Sequence, residues 1–403
     1  MTAALTRIFG VHNLALVEDV VQDACCRALE VWKVRGVPDN PGAWLLATAK
    51  NRALDVLRQR RTAETLAPEL ARYLESAWTR AAVVDESFAE NTIRDEQLRM
   101  IFTCCHPSLP DEEQLVLVLG LSCGFGAAEI ASAFLKERAA IDKRLARGKR
   151  HLAAARRLFD LAPTEIPARL PNVQRAIYLV FNEGYHAAAP SNGGVREDLA
   201  SEALRLVALL VSHPATATPS TYALGALLCL HAARLPARIA AGELVPFAEQ
   251  DRARWDTSLV AQGLAWFDAS ATGEALSSFH VEAAIAVTHA SAPSYGDVDW
   301  ARVVSLYDRL MVLAASPVVA LNRAIALVER DGPEAGLAVL TAFTAADSAA
   351  LAKYPFFAAT LAEIALRAGH RDVARDYFAQ ALAVARNDVE RRSFERRLAL
   401  LKT

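Results

Sequence analysis

Nowhere in the 403 residues is there a run approaching the ~18 uninterrupted apolar positions that a membrane-crossing helix needs. The opening, MTAALTRIFGVHNLALVED, brings in acidic residues too soon for a signal peptide. Together these lead one to expect a cytoplasmic protein with no membrane association. The six cysteines, Cys25, Cys26, Cys104, Cys105, Cys123 and Cys229, form no C-x-x-C pair and no regular framework, so reduced thiols are expected. An excess of one charge is missing too: 44 Lys and Arg face 46 Asp and Glu, a net charge of −2. That excludes a general polycation, and any nucleic-acid contact must come from local stripes. Neither a Gly-rich phosphate loop nor an H-E-x-x-H pattern is found. No cofactor and no enzymatic chemistry are therefore expected.

What the chain does contain is hydrophobic, at 53% of residues, with 22% charged. Such a composition suits a helix-rich, all-α protein able to bury a large core, and the length calls for two or three domains. Two basic stripes stand out. Lys50 to Arg61 has five basic residues and one acidic; Lys136 to Arg157 has nine and two.

Apolar residues recur at Val17, Val20, Val21, Ala24, Ala28 and Val31, the 3.6-residue period of an amphipathic helix over about 16–32. Its other side offers Glu18, Gln22 and Asp23. After VPDNP, Asn40 suits a cap and Pro41 a first turn. The next helix, about 42–61, should bury Leu46, Ala49, Ala53, Val56 and Leu57 and turn Asn51, Asp55 and Arg58 to another face. Residues 62–96 turn acidic and read as a linker. Asp111 is expected to cap a helix running to Leu121.

Residues 127–152, AAEIASAFLKERAAIDKRLARGKRHL, carry a first inner face of Ile130, Ala131, Phe134 and Leu135, then a turn at Leu135 to Glu137. A second stripe follows at Ile141, Leu145, Gly148 and Leu152, leaving Lys143, Arg144, Arg147 and Arg150 pointing away from the core. This is the arrangement of a helix-turn-helix. Gly126 stands where Ser or Thr commonly caps, and Gly148 interrupts the basic helix at a cost of about 1 kcal/mol relative to Ala. Beyond Pro163 the pattern is helical, with little strand alternation. Residues 316–340 and 354–382 both read helix, Gly-containing turn, helix. In the second, Gly369, Ala374, Phe378 and Ala381 fall where a tetratricopeptide repeat wants them.

The ordered set LVEDVVQDACCRALEVW, NPGAWLLATAKNRALDVLRQRR and the segment near residue 130 resembles the two conserved regions of extracytoplasmic-function sigma factors of bacterial RNA polymerase, within the sigma-70 family. VFNEGYH (180–186), EQDRARWD (249–256) and SPVVALNRAIAL (316–327) resemble the subgroup with a large C-terminal tetratricopeptide-like extension. In that family a further helical stretch would precede the first conserved helix, close to which this chain starts. The resemblance implies region 2 at 1–61, an acidic linker at 62–97 and region 4 at 98–160. A connecting segment at 161–195 and a helical regulatory domain at 196–403 would follow.

It further implies that Glu18, Asp19, Gln22 and Asp23 dock on the clamp of the polymerase largest subunit, with the flap of the second-largest subunit as another contact. Trp44, Lys50, Asn51, Arg58, Arg60 and Arg61 would open and read the minus-ten element, Asn51 near a flipped base. Arg138, Lys143, Arg144, Arg147 and Arg150 would read the minus-thirty-five duplex. Partners would be core RNA polymerase, promoter DNA and a regulatory protein held by the repeats. The chemistry fits: parted strands need polar and aromatic pockets with a basic rim, whereas duplex needs a helix with donors near its start.

Blander readings stand beside these. The stripe at 136–157 taken alone is an ordinary solvated face, and Trp44 taken alone is as easily a core aromatic. A helix-turn-helix regulator with a ligand- or partner-sensing repeat domain is the alternative function; it would have no need of the segment at 40–61. Cys104, Cys105 and His106, with Cys123 nearby, do not read as a zinc site, since adjacent helical cysteines diverge by about 100°; the cysteines read as buried free thiols. Glu183 and His186 read as part of a structural turn around Gly184 rather than an acid/base pair.

Overall fold

The computed structural model describes residues 1–63, 95–134, 136–154, 163–186, 196–240, 243–341, 343, 351–352 and 354–401. Most of the expected acidic linker, and Leu135 in the expected turn, lie outside them. The protein is all-α; the described residues add one small hairpin pairing β1 (Ile239–Ala240) with β2 (Glu243–Leu244). It divides into two compact units. The first comprises Met1–Ala131, Lys136–Ala176 and His213–Ala215; the second comprises Ser132–Leu135, Ile177–Ser212 and Thr216–Thr403.

In the first unit the order is α1 (Thr2–Phe9), α2 (Leu14–Arg35), α3 (Pro41–Ala63), α4 (Glu96–Cys104), α5 (Asp111–Leu117), α6 (Ala127–Ala133) and α7 (Arg138–Ala154). The helical period of α2 places Val17, Val20, Ala24 and Ala28 in the core, joined by Leu14 and Leu16. Ala49 and Ala53 of α3 are fully buried against them, and Leu5 and Phe9 of α1 close the cluster. Small residues on α3 let it lie close to α2, while Leu46, Val56 and Leu57 pack at the margin. Asn40 does cap α3: its Oδ1 accepts the Ala43 amide at 3.0 Å, a bond that stabilises a helix start by about 1 kcal/mol.

Asp111 is not a cap. It is the first residue of α5, with Pro110 at the cap position, where its charge, with Glu112 and Glu113, favours the positive helix end. The expected run to Leu121 finishes as a single π turn, Val118–Ser122. The amide of Gly126 is met by Glu129 Oε2 at 2.7 Å, so a reaching N3 side chain offsets the lack of a capping hydroxyl. Gly148 is required by close approach. A Cβ there would lie 2.8 Å from Leu117 Cγ, and Leu117 is fully buried. The glycine that weakens α7 as an isolated helix therefore lets it seat on α5.

The helix α8 (Ile166–His186) contributes residues to both units. Gly184 lies inside α8 rather than in the expected turn: a Cβ there would come within 2.6 Å of the Ala200 nitrogen. Its carbonyl accepts the Arg196 amide at 2.8 Å. The second unit continues with α9 (Glu197–Ser212), α10 (Pro219–Ala232), α11 (Leu235–Arg238), α12 (Thr257–Ser270), α13 (Ser278–Ser291), α14 (Trp300–Leu313), α15 (Pro317–Asp331), α16 (Pro333–Thr341), α17 (Pro355–Arg367), α18 (Arg371–Ala383) and α19 (Asp388–Leu401). The pairs α15–α16 and α17–α18 turn at Gly332 and Gly369, whose φ values of 93° and 84° favour glycine. Ala374, Phe378 and Ala381 of α18 are buried. No described helix is long and apolar enough to cross a membrane.

Candidate polymerase and nucleic-acid interface

The unburied side of α2 carries Glu18, Asp19, Gln22 and Asp23, positions i, i+1, i+4 and i+5 on one face. Asp19, Gln22 and Asp23 are exposed and Glu18 is half-buried. Two of the four are held from within the first unit. Arg52 Nε approaches Asp23 Oδ2 at 3.4 Å, and Lys149 Nζ of α7 donates to Glu18 Oε1 at 2.6 Å. Neither Arg52 nor Lys149 stood out from the sequence beyond its place in a basic stripe.

On α3, Trp44 is half-buried and packs on Trp32 of α2, with ring centroids 5.5 Å apart at 59°. It is thus neither a core side chain nor a free surface ring. The indole N–H of Trp32 is buried without an acceptor among the described residues. Lys50 is half-buried, and desolvation lowers its ammonium from the usual value. Asn51 and Asp55 are exposed. Arg58, Arg60 and Arg61 lie in α3, but their side chains are outside the described ones.

The basic residues of α7 divide by partner. Lys143 and Arg150 are exposed, without a carboxylate partner among the described residues; Arg150 Nε donates to the Ala146 carbonyl of its own helix at 3.3 Å. Arg138 faces Asp142 one turn on at 3.7 Å. Arg144 departs from the expectation that it points to solvent. It is three-quarters buried and pairs with Glu112 of α5 at 2.7 Å, leaving its Nη1 buried without an acceptor among the described residues. Arg147 is exposed, yet its guanidinium bonds Glu113, which is only 3% exposed. Chemically, then, Lys143 and Arg150 are ready to meet phosphates. Arg144 and Arg147 would have to exchange a carboxylate for DNA.

Other candidates have structural partners. The thiols of Cys104 and Cys105 are buried, and burial pushes that of Cys104 up to about 12 and that of Cys105 well above its usual value. His106 bonds Ser108 Oγ at 2.6 Å, and Ser108 Oγ bonds His151 of α7 at 2.7 Å. Glu183 is buried, and the His186 side chain lies outside the described ones.

Comparison with known proteins adds to this geometry. Residues 2–63, which span α1 to α3, match the Sigma-70 region 2 family. Residues 169–271 match a family of unknown function, DUF6596. The chain is 36% identical over 391 residues to the uncharacterized protein R00370 of Rhizobium meliloti (strain 1021), covering 96% of this chain and 90% of that one. No solved structure matches the chain. Sigma-70 region 2 implies interaction with core RNA polymerase and promoter DNA and supports a role in transcription initiation. The chain belongs to the family of the Rhizobium meliloti protein and carries a sigma-70 region 2 domain at its N-terminus.

Proposed function

We propose that the protein is a sigma factor of the extracytoplasmic-function kind, directing core RNA polymerase to a restricted promoter set. The observation that carries the reading is the region 2 match over residues 2–63, on helices that present an acidic face at Glu18 to Asp23 and an exposed Asn51. In this reading the acidic face docks on the clamp, and Trp44, Lys50, Asn51, Arg58, Arg60 and Arg61 engage the opened minus-ten strand. The helices α6 and α7 act as a helix-turn-helix on upstream duplex, where Arg138, Lys143, Arg144, Arg147 and Arg150 divide between base edges and phosphates.

The second unit is proposed to be tetratricopeptide-like and to control activity through a partner or ligand. Reconstitution with core enzyme and mapping of transcript starts tests the main reading. Defined starts that depend on the added protein support it. Duplex binding without initiation would favour a helix-turn-helix regulator instead, because a regulator does not replace sigma. For the controlling role, the cut belongs after Ala176 rather than at Pro163, since Arg169 Nη1 donates to the Phe102 carbonyl within the first unit. Unchanged promoter activity in cells after that cut would refute the control.

A further inference from the structure

The segments FNEGYH and EQDRARWD, which the proposed initiation role leaves unused, meet in the second unit around three arginines. Arg234 Cζ lies 3.8 Å from the Phe247 ring centroid, Arg238 lies 4.1 Å from that of Tyr185, and Arg252 lies 4.7 Å from that of Trp255. Phe247 stacks on Trp255, and His289 and Tyr295 meet Phe247 edge-on. The carboxylates of EQDRARWD are committed elsewhere. Glu249 pairs with Arg397 at 3.2 Å, Asp251 caps the Ala253 amide, and Asp256 caps those of Ser258 and Leu259. Asp297 attracts Arg252 but is exposed and accepts from Ser294 Oγ at 2.7 Å. Both histidines stay neutral: burial, with Arg234 next, holds His231 down at about 3 and His289 down at about 4. Arg252 therefore keeps its positive charge in a partly desolvated setting, which favours an anion.

Arg252 is the group placed to meet one. Its Nη1 is anchored, donating to the His289 and Ala292 carbonyls at 2.7 and 2.9 Å. Among the described residues, no acceptor meets its Nε or Nη2. That edge of a guanidinium takes a carboxylate through two parallel bonds. Arg252 also lines a cleft of about 320 Å³, with Trp255, Thr257, Val260, Leu264 and Pro293 among its other walls. The buried indole N–H of Trp255 lacks an acceptor as well. An apolar cleft with a few placed donors has the make-up of a small-molecule site.

We propose that this cleft binds a small organic anion: one carboxylate on the free edge of Arg252, with an apolar body against Val260, Leu264 and Pro293. A phosphate fits less well, because Arg252 is the single cation in the wall and a doubly charged group would want a second. The inference goes beyond the initiation role and is tested without polymerase.

Calorimetric titration of the full chain with phenylacetate and hexanoate is compared with phenylethanol, hexanol and inorganic phosphate. Saturable binding of the carboxylates is expected, with the alcohols weaker by roughly tenfold or more, the worth of a charge-assisted contact. Arg252→Gln should weaken carboxylate binding by a similar factor. Because that variant also loosens the bonds to His289 and Ala292, Ala261→Trp serves as the second arm. It fills the cleft from an exposed wall position and leaves Arg252 in place, and it should abolish binding. Absence of saturable carboxylate binding, equal binding of the alcohols, tighter binding of phosphate, or undiminished binding in Ala261→Trp would each overturn the proposal.

Discussion

Replacing Arg147 by Ala removes more than a DNA contact, because its guanidinium is the partner of a carboxylate that is only 3% exposed. Stranding a fully buried charge costs about 3–5 kcal/mol. Arg147 is itself 62% exposed, so water already screens the pair, and the loss discounts to about 1–2 kcal/mol. Local opening of α5 and α7 then becomes about five- to thirtyfold more frequent, which hydrogen exchange of the α7 amides in the full chain reads directly. Promoter binding by fluorescence anisotropy should fall as well. Its log–log salt slope should shrink by about 0.9 if Arg147 also meets a phosphate. The variant Arg147→Ala with Glu113→Gln separates the two effects: exchange should recover toward wild type while the salt slope stays reduced. Unchanged exchange in Arg147→Ala would refute the structural half of the argument. Recovery of DNA binding in the double variant would refute the phosphate half.

Gly148→Ala sets a helix-propensity gain of about 1 kcal/mol against overpacking on buried Leu117, which costs about 1–3 kcal/mol. A net loss is expected in chemical denaturation, and the cost of Gly148→Ala should shrink when it is measured in a Leu117→Ala background against Leu117→Ala alone. Glu18→Lys places two cations at the α2–α7 contact. Stability should fall by no more than about 1 kcal/mol, since both side chains are one-third exposed, and Lys149→Glu in the same chain should restore it. The buried histidines give the second unit an acid limit. His289 has its folded value at about 4 against an ordinary 6.5, so the unfolded chain binds the extra proton between those values. Its contribution, up to about 3 kcal/mol, is complete above pH ~6.5 and is lost as pH falls toward 4. Thermal melts should show this slope, and His289→Gln should flatten it.

Periodicity served best where one helix packs on one neighbour. The stripe on α2 and the Asn40 cap of α3 could be read from the sequence because each rests on residues within a turn or two. The pairing of Arg144 and Arg147 with Glu112 and Glu113 could not, since it joins helices more than thirty positions apart in the chain, and helical spacing says only that those arginines leave the core. Gly148 and Gly184 misled for a related reason. A glycine in a helical pattern reads as a weak point or a break, whereas here each marks a close approach to a partner that only the fold brings near. The cluster at Arg234, Arg238 and Arg252 draws on segments spread over more than a hundred positions, from Tyr185 to His289 and Trp300, so no local pattern announces it.

In the proposed role the first unit turns core polymerase into a promoter-opening enzyme. Permanganate probing of thymines in the minus-ten region, with core enzyme and the full chain on a promoter found by start-site mapping, measures that step. Reactive thymines that require the added protein and fade in Asn51→Ala, while duplex binding persists, are the predicted result. Unreactive thymines with the wild-type chain, or full reactivity in Asn51→Ala, would contradict it.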